Sequence, residues 1–303
     1  MTKKKTAVRE LVKTSLRLLS RLERQAPPNE IDWALDVAAV WRSDILGGTF
    51  KPYRDVDTIQ LEDLLWIDKQ KSALDQNTRQ FVSGYPANNV LLSGARGTGK
   101  SSVIHALLNK YADQKLRLVE VDKQALARLP DIVDQVRDLD YRFILFCDDM
   151  SFESDDASYK ELKSVLEGSV FTSSENTLIY ATSNRRHLLP EYMSDNLAAS
   201  VKDGELHPGE AIEEKISLSD RFGIWVSFYP FKQDAYLDVV QHWLTYFGNK
   251  FNFVVDWDEE TRKAALQWAL ARGVRNGRTA NYFARHSIGQ ALLSRSAKQS
   301  PQD

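Results

Sequence analysis

Short unbroken apolar runs alternate through the middle of this chain with stretches whose apolar residues recur every three to four positions. Residues 89–93 (Asn-Val-Leu-Leu-Ser) read as a short buried strand. Residues 101–111, with Val103, Ile104, Leu107 and Leu108 at helical spacing, read as the helix behind it. Four more strands follow at residues 116–121, 143–147, 177–181 and 224–228, and a helix ending near Val136 separates the first two of these. Continuous apolar strands with helical crossovers form a parallel sheet covered on both faces, so the expected class is α/β with a five-stranded parallel sheet. After Phe231 the strand pattern stops. Residues 234–247, 258–271 and 278–294 read as three helices that form a smaller unit. The first eighty or so residues read as helical, with a break at Pro27-Pro28-Asn29, a helix over residues 31–41 and a loop at Gly47-Gly48. Within them, Val8, Leu11, Val12, Leu16, Leu19 and Leu22 give a basic amphipathic face, read as packing against the rest of the chain.

Between the first strand and its helix lies Gly94-Ala95-Arg96-Gly97-Thr98-Gly99-Lys100-Ser101, followed by Ser102. This is a complete G-x-x-x-x-G-K-[ST] phosphate loop in the required strand, loop and helix order. Its glycines let successive backbone N–H groups converge on an anion. Lys100 adds a mobile positive charge for the β- and γ-phosphates, and the Ser101 hydroxyl completes the shell of a bound Mg²⁺. The expectation is a site for a nucleoside triphosphate. The chain then divides into an N-terminal helical accessory segment (1–60), a phosphate-loop α/β domain (61–231), a helical lid domain (232–296) and a polar tail (297–303).

The strand Phe143-Ile144-Leu145-Phe146-Cys147 ends in Asp148-Asp149, the pattern of a second nucleotide-binding motif. Asp148 is the candidate Mg²⁺ ligand, Asp149 the candidate that polarises the attacking water, and Glu153 the reserve for that role. Asn184 follows the strand containing Leu178-Ile179-Tyr180, where an amide can orient water or contact the γ-phosphate. Arg221, in Ser217-Leu218-Ser219-Asp220-Arg221-Phe222-Gly223, can stabilise transition-state charge. Either Arg275 or Arg278 can reach back to the nucleotide from the start of the last helix.

Composition narrows this reading only a little. The chain has 303 residues, and 40 Lys+Arg against 42 Asp+Glu give a formal charge of -2, so charge points to no nucleic acid, without excluding one. Cys147 is the single cysteine, which rules out an intrachain disulfide and fits a buried small hydrophobe. The five histidines show no metal-ligand spacing. No apolar stretch has the length of a membrane span, and the expected location is cytoplasmic. Residues 204–214 read as a long acidic loop near Arg221.

The set GARGTGKSS, FILFCDDMS, LIYATSNRR, SLSDRFG and RNGRTANYF resembles the AAA+ superfamily of ATPases, and more narrowly a bacterial AAA+ family of unknown function. The resemblance implies that Lys100 and Ser101 bind phosphate and Mg²⁺, that Asp148 binds Mg²⁺ and that Asn184 is the first sensor. It further implies that Arg221 is an arginine finger acting in trans within a homo-oligomer and that Arg278 is the second sensor. The run Leu61-Glu62-Asp63-Leu64-Leu65-Trp66-Ile67-Asp68 is similar to the segment that packs around adenine, which brings Ile67 to the base, with Trp66 where a glycine is usual. Two positions depart from the superfamily. Asp149 replaces the usual glutamate, one methylene longer, and residues 122–130 lack the aromatic and glycine pair of threading translocases. The implied activity is Mg²⁺-dependent ATP hydrolysis coupled to rearrangement of a protein client or an assembly. A phosphate-loop kinase and a nucleotide-dependent scaffold with negligible hydrolysis are the rival readings.

Overall fold

Residues 38–42 form a strand, where the pattern had suggested a helix over residues 31–41. Ala38 packs into the cluster on one face of a sheet, while Ala39 and Trp41 pack into the cluster on the other. That alternation has period two, which a helix cannot supply. Ahead of it, the Asp32 carboxylate accepts from the Ala34 N–H (2.9 Å) and the Asp32 carbonyl accepts from Leu35 and Asp36. One tight turn, rather than a helix, therefore leads into the strand.

The computed structural model describes residues 31–44, 47–53, 56–150, 162–163, 166, 175–184, 200–202, 205–207 and 221–299. The amphipathic pattern of residues 8–22, Glu153 and the tail beyond residue 299 lie outside them. The described elements are β1 (Ala38–Arg42), β2 (Thr49–Pro52), α1 (Asp68–Val82), β3 (Val90–Gly94), α2 (Lys100–Tyr111), β4 (Leu116–Glu120), α3 (Leu129–Val136) and β5 (Arg142–Cys147). After these come β6 (Thr177–Ser183), β7 (Ser200–Lys202), β8 (Glu205–His207), β9 (Ile224–Phe228), α4 (Gln233–Lys250), α5 (Glu259–Ala271) and α6 (Gly277–Gln299).

The main sheet has seven strands in the order β2-β1-β4-β5-β6-β3-β9, two more than the sequence pattern gave. All neighbours are parallel except β1 and β2, so the additions sit at the β4 edge. β7 and β8 pair as a separate antiparallel hairpin, which overlaps the expected loop at residues 204–214. One face of the sheet buries Leu91, Val119, Leu145 and Ile179 with Trp33 and Trp41. The other buries Val90, Leu92, Ile144 and Tyr180 against Val103, Ile104 and Leu107 of α2. Helices α4 to α6 enclose a third cluster built on Tyr236, Val240, Phe247, Ala269 and Phe283.

Helix boundaries follow local chemistry. α5 begins where the Asp258 carboxylate accepts from the Thr261 N–H (2.8 Å), an N-terminal cap. Among the described residues, no helix is long and apolar enough to cross a membrane.

Because Trp41 is 1% exposed and stacks edge-on to Phe50, β1 is core. Trp41→Ala should therefore lower the stability of the whole sheet by about 3–5 kcal/mol, read as a shift of the main urea transition. An accessory segment that detaches independently would leave that transition where it is.

Candidate functional site: a phosphate loop beneath the C-terminal helices

Parallel strands bring their carboxyl ends to one edge, and β3, β5 and β6 build the site there. β3 runs into the phosphate loop at Gly94, whose φ is +134° and whose Cβ, were there one, would lie 1.9 Å from the Phe228 carbonyl oxygen of β9. Only glycine fits so close to a neighbouring backbone. Gly97 (φ +76°) is enclosed from the other side, since a Cβ there would meet the Asn276 side chain at 2.6 Å. The loop is thus held between the last strand and the start of α6.

Lys100, at the first turn of α2, is 6% exposed. Its ammonium donates to the carbonyls of Gly94 (2.7 Å) and Ala95 (2.9 Å) and to Asn184 Oδ1 (3.0 Å). Burial pushes the ammonium down to about 8; Asp148 and Asp149 pull it back up, and Arg278 and Arg96 push it further down. Asp148 Oδ1 accepts from Ser101 Oγ (2.9 Å) and from Thr182 Oγ1 (2.5 Å). The same Thr182 oxygen accepts from the Asp149 N–H at 2.9 Å, so one hydroxyl fixes both acids. Asp149 has φ +51°, uncommon for a side-chain-bearing residue. Its Oδ1 accepts from Asn184 Nδ2, and its Oδ2 pairs with Arg96 Nη2 at 3.2 Å.

These groups open into a cavity of about 670 Å³, of the size that holds a small-molecule ligand. Polar groups in its lining come from residues 96–102, Asp148, Asp149, Thr182, Asn184 and Arg278. Apolar groups come from Ile59, Leu65 and Ile67, ahead of and at the start of α1, and from Trp243, Phe247 and Tyr282 of α4 and α6. The donors fit a Mg²⁺–triphosphate. A hydroxyl and a carboxylate meet at 2.9 Å beside the loop, and hard oxygen donors suit Mg²⁺, which keeps its other positions for phosphate and water. Among the described residues, no set of three or more His, Cys, Asp or Glu forms an all-protein metal cage.

One family, described as "Protein of unknown function (DUF815)", matches residues 35–291. The chain belongs to this family. None of the curated proteins matches it in sequence. Among solved structures, a point variant of Thermotoga maritima RuvB aligns with 80% of this chain and 68% of its own at 14% identity and a TM-score of 0.51. The Orc1 protein of Aeropyrum pernix, solved in complex with DNA, aligns with 78% of this chain and 69% of its own at 14% identity and a TM-score of 0.50. The chain spans about two thirds of the length of these structures. At such identities the likeness shows the fold, which is the AAA+ fold that the sequence motifs resemble.

Most of the expected site residues come together. Arg96, Gly97, Thr98, Gly99, Lys100, Ser101, Ser102, Asp148, Asp149, Asn184, Ile67 and Arg278 all line the cavity, while Gly94 and Ala95 supply carbonyls to Lys100. Of the two candidates at the start of α6, Arg278 lines the cavity, whereas Arg275 holds the Phe231 N–H through its carbonyl (3.1 Å). Arg221 lies elsewhere. It precedes β9, whose Phe228 sits opposite Gly94, and the steps from Ile224 to Phe228 alone span about 13 Å. Arg221 therefore precedes the amino end of β9, whereas the phosphate loop of its own chain follows the carboxyl end of the neighbouring β3. Trp66, where a glycine is usual, adopts φ +64°, and its indole donates to Asp238 of α4 at 3.1 Å. The backbone there keeps a glycine-like shape, and the side chain reaches the C-terminal helices.

The sequence reading missed Thr182, the Arg96–Asp149 pair and Asn276. Thr182 lies near the carboxyl end of β6, two residues before Asn184, and that end of the strand is where the site forms.

A lysine whose ammonium titrates near 8 when folded and near 10.5 when unfolded opposes folding below pH 8, and this opposition fades as pH rises to 10.5. In EDTA without nucleotide, the stability of the unaltered protein relative to Lys100→Met should rise by about 2–3 kcal/mol between pH 7.5 and 10.5. Urea unfolding at the two pH values measures the difference, and a constant difference would contradict a strongly desolvated lysine.

Proposed function

We propose that the protein binds ATP with Mg²⁺ in this cavity and hydrolyses it, using nucleotide state to reposition the C-terminal helices as a lid over the sheet. The observation that carries the reading is the convergence of the phosphate loop, Lys100, Ser101, Asp148, Asp149 and Asn184 on one cavity roofed by α4 and α6. The loop's backbone N–H groups and the Lys100 ammonium bind the β- and γ-phosphates. Ser101 and Asp148 hold Mg²⁺, which when bound supplies charge neutralisation to the phosphates. Asp149 takes the proton of a water that attacks the γ-phosphorus, and the bond to the β-phosphate oxygen breaks to leave ADP and phosphate. Asn184 orients Asp149, and Arg278 stabilises charge from the lid side.

In this proposal Arg221 serves the site of a neighbouring copy, which makes the active form a homo-oligomer; its position ahead of the amino end of β9, with the loop at the carboxyl end of β3, supports this. A protein client and a cytoplasmic setting belong to the same proposal. One observation favours the switch reading. Both carboxylate oxygens of Asp149 already accept from protein donors, Asn184 and Arg96, so an attacking water must share the carboxylate with an amide and a guanidinium.

The discriminating measurement is phosphate release per subunit across a range of protein concentrations, beside calorimetric binding of ATP. Lys100→Ala should weaken binding severely. Asp149→Asn should retain binding but lose turnover by about 10²-fold or more. Arg221→Ala should likewise bind and not turn over, and mixing it with Lys100→Ala should restore part of the activity. Stoichiometric binding with no phosphate release at any concentration would establish the switch instead.

A further inference from the structure

The residue that joins the C-terminal helices to the phosphate loop is Asn276, which is 6% exposed and lies just ahead of α6. Its amide does two jobs. Oδ1 accepts from the Thr279 N–H at 2.8 Å and caps the helix, while Nδ2 donates to the Arg96 carbonyl at 2.8 Å. The next carbonyl along the loop, that of Gly97, accepts from the Arg278 N–H at 3.4 Å. Gly277 follows closely, since a Cβ there would lie 3.3 Å from the same Gly97 oxygen.

Peptide planarity gives these contacts a consequence. The carbonyl of one residue and the N–H of the next belong to one rigid trans unit and point in opposite directions. Holding the Arg96 and Gly97 carbonyls on the α6 side presents the N–H groups of Gly97 and Thr98 on the other side. Both of those residues line the cavity. A glycine-rich loop has little intrinsic preference between such peptide orientations, so an external hold decides which is populated. Resting on the reading of the cavity as a triphosphate site, we propose that Asn276 is a positioning residue: it aims the loop's N–H groups at the phosphates, and docking of α6 and binding of a polyphosphate are thereby one linked equilibrium. Linkage makes the effect reciprocal, so a bound polyphosphate must tighten the hold on α6 by the factor that the hold contributes to binding.

Two substitutions separate this role from simple helix capping. Asn276→Ser keeps a neutral capping oxygen but is too short to donate to Arg96, whereas Asn276→Ala loses both functions. Calorimetry with ADP and with a non-hydrolysable ATP analogue should show each variant binding about tenfold more weakly, while only Asn276→Ala shows a clearly lower melting temperature. Unchanged affinity in Asn276→Ser, or an affinity loss confined to the variant that loses stability, overturns the proposal. Amide exchange over residues 94–101 and 275–281 in nucleotide-free protein tests the latch apart from the ligand. It should be about tenfold faster in Asn276→Ser than in the unaltered chain. Equal exchange rates overturn the latch and leave the nucleotide reading standing, and failure of the unaltered chain to bind either nucleotide overturns the nucleotide reading by itself.

Discussion

Gly94 and Gly97 let the phosphate loop pass where no side chain fits, and the remaining geometry follows from that passage. On one side the loop runs against the Phe228 carbonyl of β9, and on the other against Asn276. The carbonyls of a loop so confined are satisfied partly by its own side chains and partly by the start of α6. Lys100 and Thr98 take the Ala95 carbonyl, Asn276 takes that of Arg96, and the Arg278 N–H takes that of Gly97. With the carbonyls accounted for, the N–H groups are what remains for an anion.

The electrostatics are ordered by the same confinement. Lys100 is buried under the loop, close to two carboxylates, and the desolvation that pushes it down to about 8 outweighs their attraction. Such an arrangement costs stability in the ligand-free chain, a cost that a phosphate bound as proposed would offset with its negative charge. Asp148 and Asp149 have different neighbours. The first faces hydroxyls of Ser101 and Thr182; the second faces the Asn184 amide and the Arg96 guanidinium. Neutral hydroxyls leave the charge of Asp148 uncompensated, whereas the Arg96 guanidinium pairs with that of Asp149.

Central strands were legible in the sequence because a parallel strand buried on both faces must be apolar at every position, as in Phe143-Ile144-Leu145-Phe146. The segment that became β1 was not, since an Ala- and Val-rich run satisfies the helical and the strand period alike. Its strand character comes from the neighbouring β4, which offers a free edge and two apolar faces. β2, Thr-Phe-Lys-Pro, carries too little apolar pattern to be read at all. The site divides in the same way. Lys100, Ser101 and Asp148 occupy fixed offsets in contiguous motifs, whereas the Arg96–Asp149 and Asn276–Arg96 contacts join residues 53 and 180 positions apart. Contacts of that separation are set by tertiary packing, and Arg96 and Asn276 by themselves carry no signature of them.

The connection between sheet and C-terminal helices is short, and its anchor is Phe231. Its ring packs at the margin of both the sheet cluster and the helical cluster, and its N–H donates to the Arg275 carbonyl one residue before the latch. Trp66 and Asp63 meet Asp238 and His242 of α4. The C-terminal helices therefore meet the rest of the chain through two further contacts, the phosphate loop and the segment carrying Asp63 and Trp66. A ligand moves such a body only by binding one arrangement better than another.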